Sequence, residues 1–225
     1  MKEFYSEHSR YYVSVDVIVF GFNKEGLKLL IGKRKMDPGR GQWALYGGFV
    51  RPDESVLDAA KRTLFELTGM KDVYMRQAGA YGDIDRDPGA RVISVAYFAL
   101  INVEDYNELE QERYELKWFP IDQLPPLFSD HWQMVDKALR MMRKRLGVEP
   151  VTINLLPPLF TLTQLQKVYE AISGKPQDKR NFRKRVQEMD FIEKTEKKDK
   201  SMSKRGAYLY KFNEKAFLLH PDFKL

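Results

Sequence analysis

The sequence contains no cysteine, which excludes disulfide bridges, thiolate zinc sites and a cysteine nucleophile. It also lacks any apolar run near the roughly 18 residues of a membrane helix. Its first ten residues, MKEFYSEHSR, are polar and charged, unlike the apolar centre of a secretory signal. These absences suit a soluble, cytoplasmic protein with no membrane partner. A charge excess is missing from residues 1–147, which hold 22 Lys and Arg against 22 Asp and Glu, whereas residues 148–225 hold 16 against 10. The whole net charge of +6 is therefore carried by the last third. Clustered cations displace counterions from phosphate backbones, so the C-terminal part is expected to meet an anionic polymer or surface. The neutral part suits a small-molecule pocket.

With 225 residues, 43% hydrophobic and 13% aromatic, the chain can bury real cores, and two domains fit the charge division. Valines 13, 15, 17 and 19 alternate with Tyr12, Ser14, Asp16 and Ile18, giving a strand with two partly apolar faces and hence a central sheet position. Further strands are expected at Leu27–Ile31, Trp43–Val50, Val73–Tyr81, Arg91–Ile101 and Lys117–Ile121. Val56, Ala60, Leu64 and Leu67 form one helical stripe, ended by Gly69 where a left-handed cap belongs. Ser129-Asp130 is expected to cap a second helix running to Leu146. Residues 147–158, with three prolines, look like a linker. Thr161 and Gln164 then form a possible capping box, followed by a helix, a Gly174-Lys175-Pro176 turn, a helix over about 177–189 and two strands. Helix, turn, helix and hairpin is the winged-helix order.

Gly48, Glu54 after five residues, Arg62 after seven more, then Leu64, Glu66, Gly69 and Met70 resemble the Nudix box, a loop-helix-loop whose carboxylates hold Mg²⁺ against a pyrophosphate. Two positions depart from that pattern. Thr63 and Leu67 stand where the family has glutamates, leaving Glu66 on the helix and Glu54 in the loop. Several carboxylates are needed for a hard cation, so no metal, cofactor or catalytic residue is expected, and Glu54, Arg62 and Glu66 read as a brace between loop and helix. Trp43-Ala-Leu-Tyr-Gly-Gly-Phe-Val50, Arg86-Asp87-Pro88 with Arg91–Tyr97, and Trp118–Pro126 are similar to ADP-ribose-type Nudix proteins. The resemblance spans about residues 10 to 147.

In the basic part, Lys179, Arg180, Arg183 and Lys184 recur at helical spacing, opposite Phe182, Val186 and Met189. A recognition helix needs this division between a groove-facing side and a docked side. Asn181 suits adenine, Arg180 or Arg183 suits guanine, and Lys197, Lys198, Lys200, Lys204 and Arg205 would place five cations on the hairpin tip, beside phosphates. Either cluster alone could be a solvated face. Asp178–Val186 and Arg205–Lys211 are similar to the recognition helix and wing of the Nudix-related transcriptional regulators, the NrtR family, with wording nearest its arabinose-responsive branch, AraR.

That resemblance implies a Nudix-type α-β-α sandwich domain (residues 1–147) followed by a small winged helix-turn-helix domain (residues 148–225). It implies a homodimeric repressor on a palindromic double-stranded operator, released by a small effector. The effector is expected to be L-arabinose, with ADP-ribose or a related nucleotide as the alternative. Asp16, Lys33, Arg40 and Asp85 are candidate polar contacts and Trp43 and Tyr46 candidate platforms; Asp16 equally reads as a structural hydrogen-bonding group, and both rings as core. An active pyrophosphohydrolase and a protein-binding C-terminal module are the competing classes.

Overall fold

A strand apolar on both faces is stable only inside a sheet covered on both sides, and β1 (Tyr12–Asn23) is buried from Asp16 through Phe22. In the computed structural model, which describes residues 6–105, 115–146, 151–201 and 204–219, β1 runs antiparallel to β2 (Gly26–Lys33) and parallel to β6 (Val92–Asn102). Two short strands, β3 (Trp43–Ala44) and β4 (Tyr46–Phe49), pair with β2 and β1 respectively. The remaining strands are β5 (Tyr74–Tyr81) beside β6 and β7 (Leu116–Pro120) beside β2. The single extended stretch expected over 43–50 is thus broken at Leu45. There the chain leaves β2 for β1, and the Leu45 N–H turns to the buried His131 ring instead of a neighbouring strand.

Helix α1 (Val56–Thr68) covers one face of this sheet. The Ser55 side chain accepts the Asp58 N–H, and Gly69, at φ 69°, closes the helix in the left-handed region. Leu64 and Leu67 pack with Val17 and Val19 of β1. The other face, Ile18, Phe20 and Phe22, packs with Met134, Val135 and Ala138 of α2 (His131–Arg145). Helix, sheet and helix therefore stack as expected. The cap of α2 does not. Asp130 makes no side-chain hydrogen bond to the helix N-terminus, because both its oxygens are taken by Arg86.

The winged helix comprises β8 (Phe160–Thr161), α3 (Leu162–Ser173), α4 (Lys179–Gln187), β9 (Ile192–Asp199), β10 (Ala207–Phe212) and a four-residue helix, α5 (Glu214–Phe217). Thr161 and Gln164 form the anticipated capping box. Two departures matter. β9 extends to Asp199, so Lys197 and Lys198 belong to a strand and not to the loop at the hairpin tip. Of the supposed linker, residues 147–150 lie outside the described residues, and the rest is no free tether. Val151, Leu155 and Leu156 are buried in the same apolar cluster as Phe20, Met142, Leu165 and Phe182. Apolar side chains at a domain junction gain more from burial than from solvent, roughly 25 cal/mol per Å². Arg143 near the end of α2 also donates to the Ile172 carbonyl of α3, 2.9 Å away.

Candidate functional site

At the Nudix-like box, the charged groups are committed to one another. Arg62 donates through Nε and Nη2 to the Glu54 carboxylate (2.9 and 2.6 Å), through Nη2 to the Phe49 carbonyl (3.1 Å), and through Nη1 to Glu66 (3.4 Å). Glu54 also accepts the Arg51 N–H at 2.9 Å, and Arg51 approaches Glu66 at 3.8 Å. The Arg62 hydrogen bonds are the main cause holding the Glu54 carboxyl down at about 2, and Glu54 in turn raises the Arg62 guanidinium above its ordinary value. Gly48 lies directly over the helix: a side-chain carbon there would come within 3.4 Å of Thr63 Oγ1.

Thr63 and Leu67 lie one helical turn apart, and both are 1% exposed. Leu67 belongs to the apolar layer of Val17, Val19 and Leu64, and the Thr63 hydroxyl has no hydrogen-bond partner among the described residues. The residues present do not fit a divalent cation. Two of the oxygens the family supplies are an alkyl chain and a buried hydroxyl, and the two carboxylates that remain are paired with arginine. Among the described residues, no group of three or more acidic or histidine side chains is placed to hold a metal.

The six candidate effector residues do not gather on one surface. Lys33 and Trp43 are cross-strand partners, with the ammonium 5.4 Å from the indole centroid, and Trp43 meets Phe119 edge-on at 4.9 Å. Arg40 is exposed in the β2–β3 loop, 3.7 Å from Asp37. Tyr46 packs on the α1 side of the sheet and Trp43 on the α2 side. Asp85 is exposed in the loop 82–89. Asp16 is 7% exposed and faces inward, accepting the Ser94 hydroxyl at 2.5 Å.

Asp16 is part of a buried polar network that sequence reasoning missed. Arg86, 8% exposed, forms a two-pronged pair with Asp130 (2.8 and 2.9 Å) and lies 3.6 Å from Asp16. Burial opposes its charge, yet the Asp130 hydrogen bonds and the two carboxylates keep the guanidinium above its ordinary value. His131 is driven the other way. Burial pushes its imidazole below the usual histidine range, against the pull of Asp16 and Asp130. Its Nδ1 accepts the Leu45 N–H at 3.0 Å, which leaves the proton on Nε2, 3.7 Å from Asp16. Gly47 fits beneath, since a side-chain carbon there would stand 2.5 Å from the Asp16 carboxylate. The network ties β1, β6, the 82–89 loop and the β3–β4 junction to the start of α2. Its sequence signals were the Arg86-Asp87-Pro88 string and Asp16, which also reads as a structural hydrogen-bonding group.

On one face of α4 and at the hairpin tip of the winged helix, the cations are left open. Asp178 caps α4 by accepting the Asn181 N–H at 2.8 Å, while Phe182 and Val186 are buried. The exposed side chains of Lys179, Arg180, Asn181, Arg183 and Lys184 form no hydrogen bond or ion pair among the described residues. Lys197, Lys200, Lys204 and Arg205 are likewise exposed, and Lys198 rests over the Tyr208 ring. Arg185 is the inward member of the run, donating to Gln177 at 2.8 Å. Among the described residues no helix is long and apolar enough to cross a membrane.

Comparison with known proteins follows this division. Residues 10–138 match the NUDIX domain and residues 152–212 the NrtR DNA-binding winged helix domain. An ADPR responsive transcriptional repressor from Acinetobacter baylyi is 35% identical over 204 residues, which is 89% of this chain and 81% of that protein. The crystal structure of Shewanella oneidensis NrtR complexed with a 27mer DNA superposes with a TM-score of 0.83 at 28% identity, covering 95% of this chain and 97% of that one. The NUDIX domain of the same protein complexed with ADP ribose gives a TM-score of 0.51 at 26% identity over 63% of this chain and 94% of that chain. These relatives do not support the arabinose branch; the nucleotide alternative fits them better. The chain belongs to the NrtR family, a Nudix domain joined to a DNA-binding winged helix.

Proposed function

We propose that this protein is a cytoplasmic, homodimeric transcriptional repressor whose Nudix-type domain binds ADP-ribose, or a closely related nucleotide, without hydrolysing it, and releases operator DNA on doing so. The observation that carries this proposal is the open basic face of α4: five exposed polar side chains on a capped, docked helix, with no internal partners among the described residues. The absence of hydrolysis follows from Thr63 and Leu67 facing inward and from the Arg62 pairings of Glu54 and Glu66. For the effector, Lys33, Arg40 and Trp43 on the β2–β3 hairpin offer what a nucleoside diphosphate needs, cations for phosphate and a ring for stacking. Asp85 and Tyr46 remain outer candidates, whereas Asp16 serves the buried network.

The coupling path is α2. Its first residue holds the Leu45 N–H between β3 and β4, and its last turn holds α3 through Arg143. A shift of the β3–β4 segment on effector binding therefore moves a rigid helix that is bonded to the DNA-binding domain. The test is fluorescence anisotropy on a fragment of the protein's own promoter. Binding is expected to fall steeply with salt, and ADP-ribose is expected to release the fragment while arabinose does not. Release by neither would remove the effector assignment. Turnover of ADP-ribose with Mg²⁺ above about 0.1 per second, slow beside ordinary enzymes, would remove the non-catalytic one.

A further inference from the structure

One basic feature of the wing lies outside the run of cations at its tip. Lys194 and Lys198, four residues apart on β9, both stand over the ring of Tyr208 on β10, at 3.6 and 4.5 Å from its centroid. The hairpin register explains how one ring serves two lysines. Tyr208 is opposite Lys198 and Tyr210 opposite Lys194, so the strands slip between these pairs, a bulge that re-aims side chains. Gly206, just before the returning strand, has φ 69°, and a side-chain carbon there would stand 3.0 Å from the Asp199 carbonyl.

Two ammonium groups on one ring repel each other, and carboxylates would be the ordinary remedy. None is supplied. Glu193 is engaged by Lys211 (2.9 Å) and by Asn213 (2.5 Å), and Asp199 accepts the Ser201 N–H at 2.8 Å. Glu196 forms no ion pair with either lysine among the described residues. The ring thus gathers two cations without a carboxylate partner among the described residues on an exposed surface, Tyr208 itself being 41% exposed. Their separation cannot exceed the sum of the two ring distances, so both cations fall within one short stretch of a phosphate backbone.

Resting on the DNA-binding function above, we infer that Lys194, Tyr208 and Lys198 form a phosphate clamp: the two ammonium groups take neighbouring backbone phosphates, and the ring is the positioning residue that orders them beforehand. Backbone contacts carry no sequence information, so the clamp acts on any duplex, and its ligand chemistry is the phosphodiester rather than a base.

The experiment is a salt titration of full-length protein on a short duplex of arbitrary sequence, followed by anisotropy between about 50 and 200 mM salt. Lys194→Gln and Lys198→Gln are each expected to lower the slope of log K against log salt by about 0.9. Tyr208→Leu is expected to weaken binding several-fold with little change of slope, because the lysines remain but are no longer held. Tyr208→Phe, which keeps the ring, should bind as wild type does. Unchanged slope and affinity in Lys194→Gln, while Lys179→Gln on α4 still weakens binding, overturn the clamp and leave the DNA-binding function standing. A loss in Tyr208→Phe equal to that in Tyr208→Leu overturns the role of the ring. A wild-type protein that fails to bind the duplex overturns both proposals.

Discussion

The Nudix-type half and the winged-helix half are both rich in charge, but they treat it in opposite ways. In the first, Arg62 answers Glu54 and Glu66, and Arg86 answers Asp130 and Asp16, so cations end on carboxylates inside the same domain. In the second, α4 and the hairpin tip present cations that end on nothing within the described chain. Charge satisfied internally organises a fold, and charge left open waits for a partner. The difference separates a brace from a binding surface even where both are arginines on capped helices.

The largest effect is expected at Arg86. Removing one member of a buried pair leaves the other charge stranded, so Arg86→Ala is expected to cost about 3–5 kcal/mol, read as a fall of the thermal midpoint. A drop of only a degree or two would show that the network is not structural. Next comes Leu67→Glu, which restores a residue of the Nudix pattern. Because position 67 lies among Val17, Val19 and Leu64, the change should destabilise by more than about 2 kcal/mol and yield no hydrolysis with Mg²⁺. Activity with unchanged stability would mean the helix face can turn outward.

On the other side, Arg183→Ala should leave stability within about 0.5 kcal/mol yet weaken binding to the promoter fragment by about 1–3 kcal/mol. A loss of stability instead of affinity would place Arg183 with the braces. The smallest effect concerns pH. The Glu54 carboxyl is depressed to about 2 in the fold, against about 4.3 for a free glutamate. Its contribution to stability is therefore complete above about 4.3 and disappears as pH falls toward 2. Wild type and Glu54→Gln should differ in midpoint at pH 7 and converge at low pH; a gap that persists there would assign the effect to packing rather than to the ion pair.

Much of the fold was legible because it rests on local periodicity. Alternating valines placed β1 in the middle of the sheet, Gly69 ended α1, and Thr161 with Gln164 opened α3. Asp130 shows where such signals fail. Its position suits a cap, but a guanidinium 44 residues away in sequence binds it more strongly than a helix N-terminus does. Residues 151–156 failed for a related reason. Prolines announce a loop, yet nothing local reveals that Val151 and Leu155 face a second domain's core. For the candidate site, the basic face of α4 was readable from spacing alone, whereas spacing could not say that the six effector candidates lie on more than one surface. Trp43 and Tyr46 are three apart in sequence, an odd spacing that sends strand side chains to opposite faces, and they pack in different apolar clusters.

The order of domains, the altered box and the partition of net charge are written in the amino-acid sequence, because composition and spacing are properties of the chain whatever its conformation. Which charges stay open depends on folding. Arg86 and Arg183 are the same side chain in the text of the sequence, and what distinguishes them is distance. One lies within hydrogen-bonding reach of a buried carboxylate and the other meets none, since the strength of a charge's partners depends on a proximity that folding alone creates.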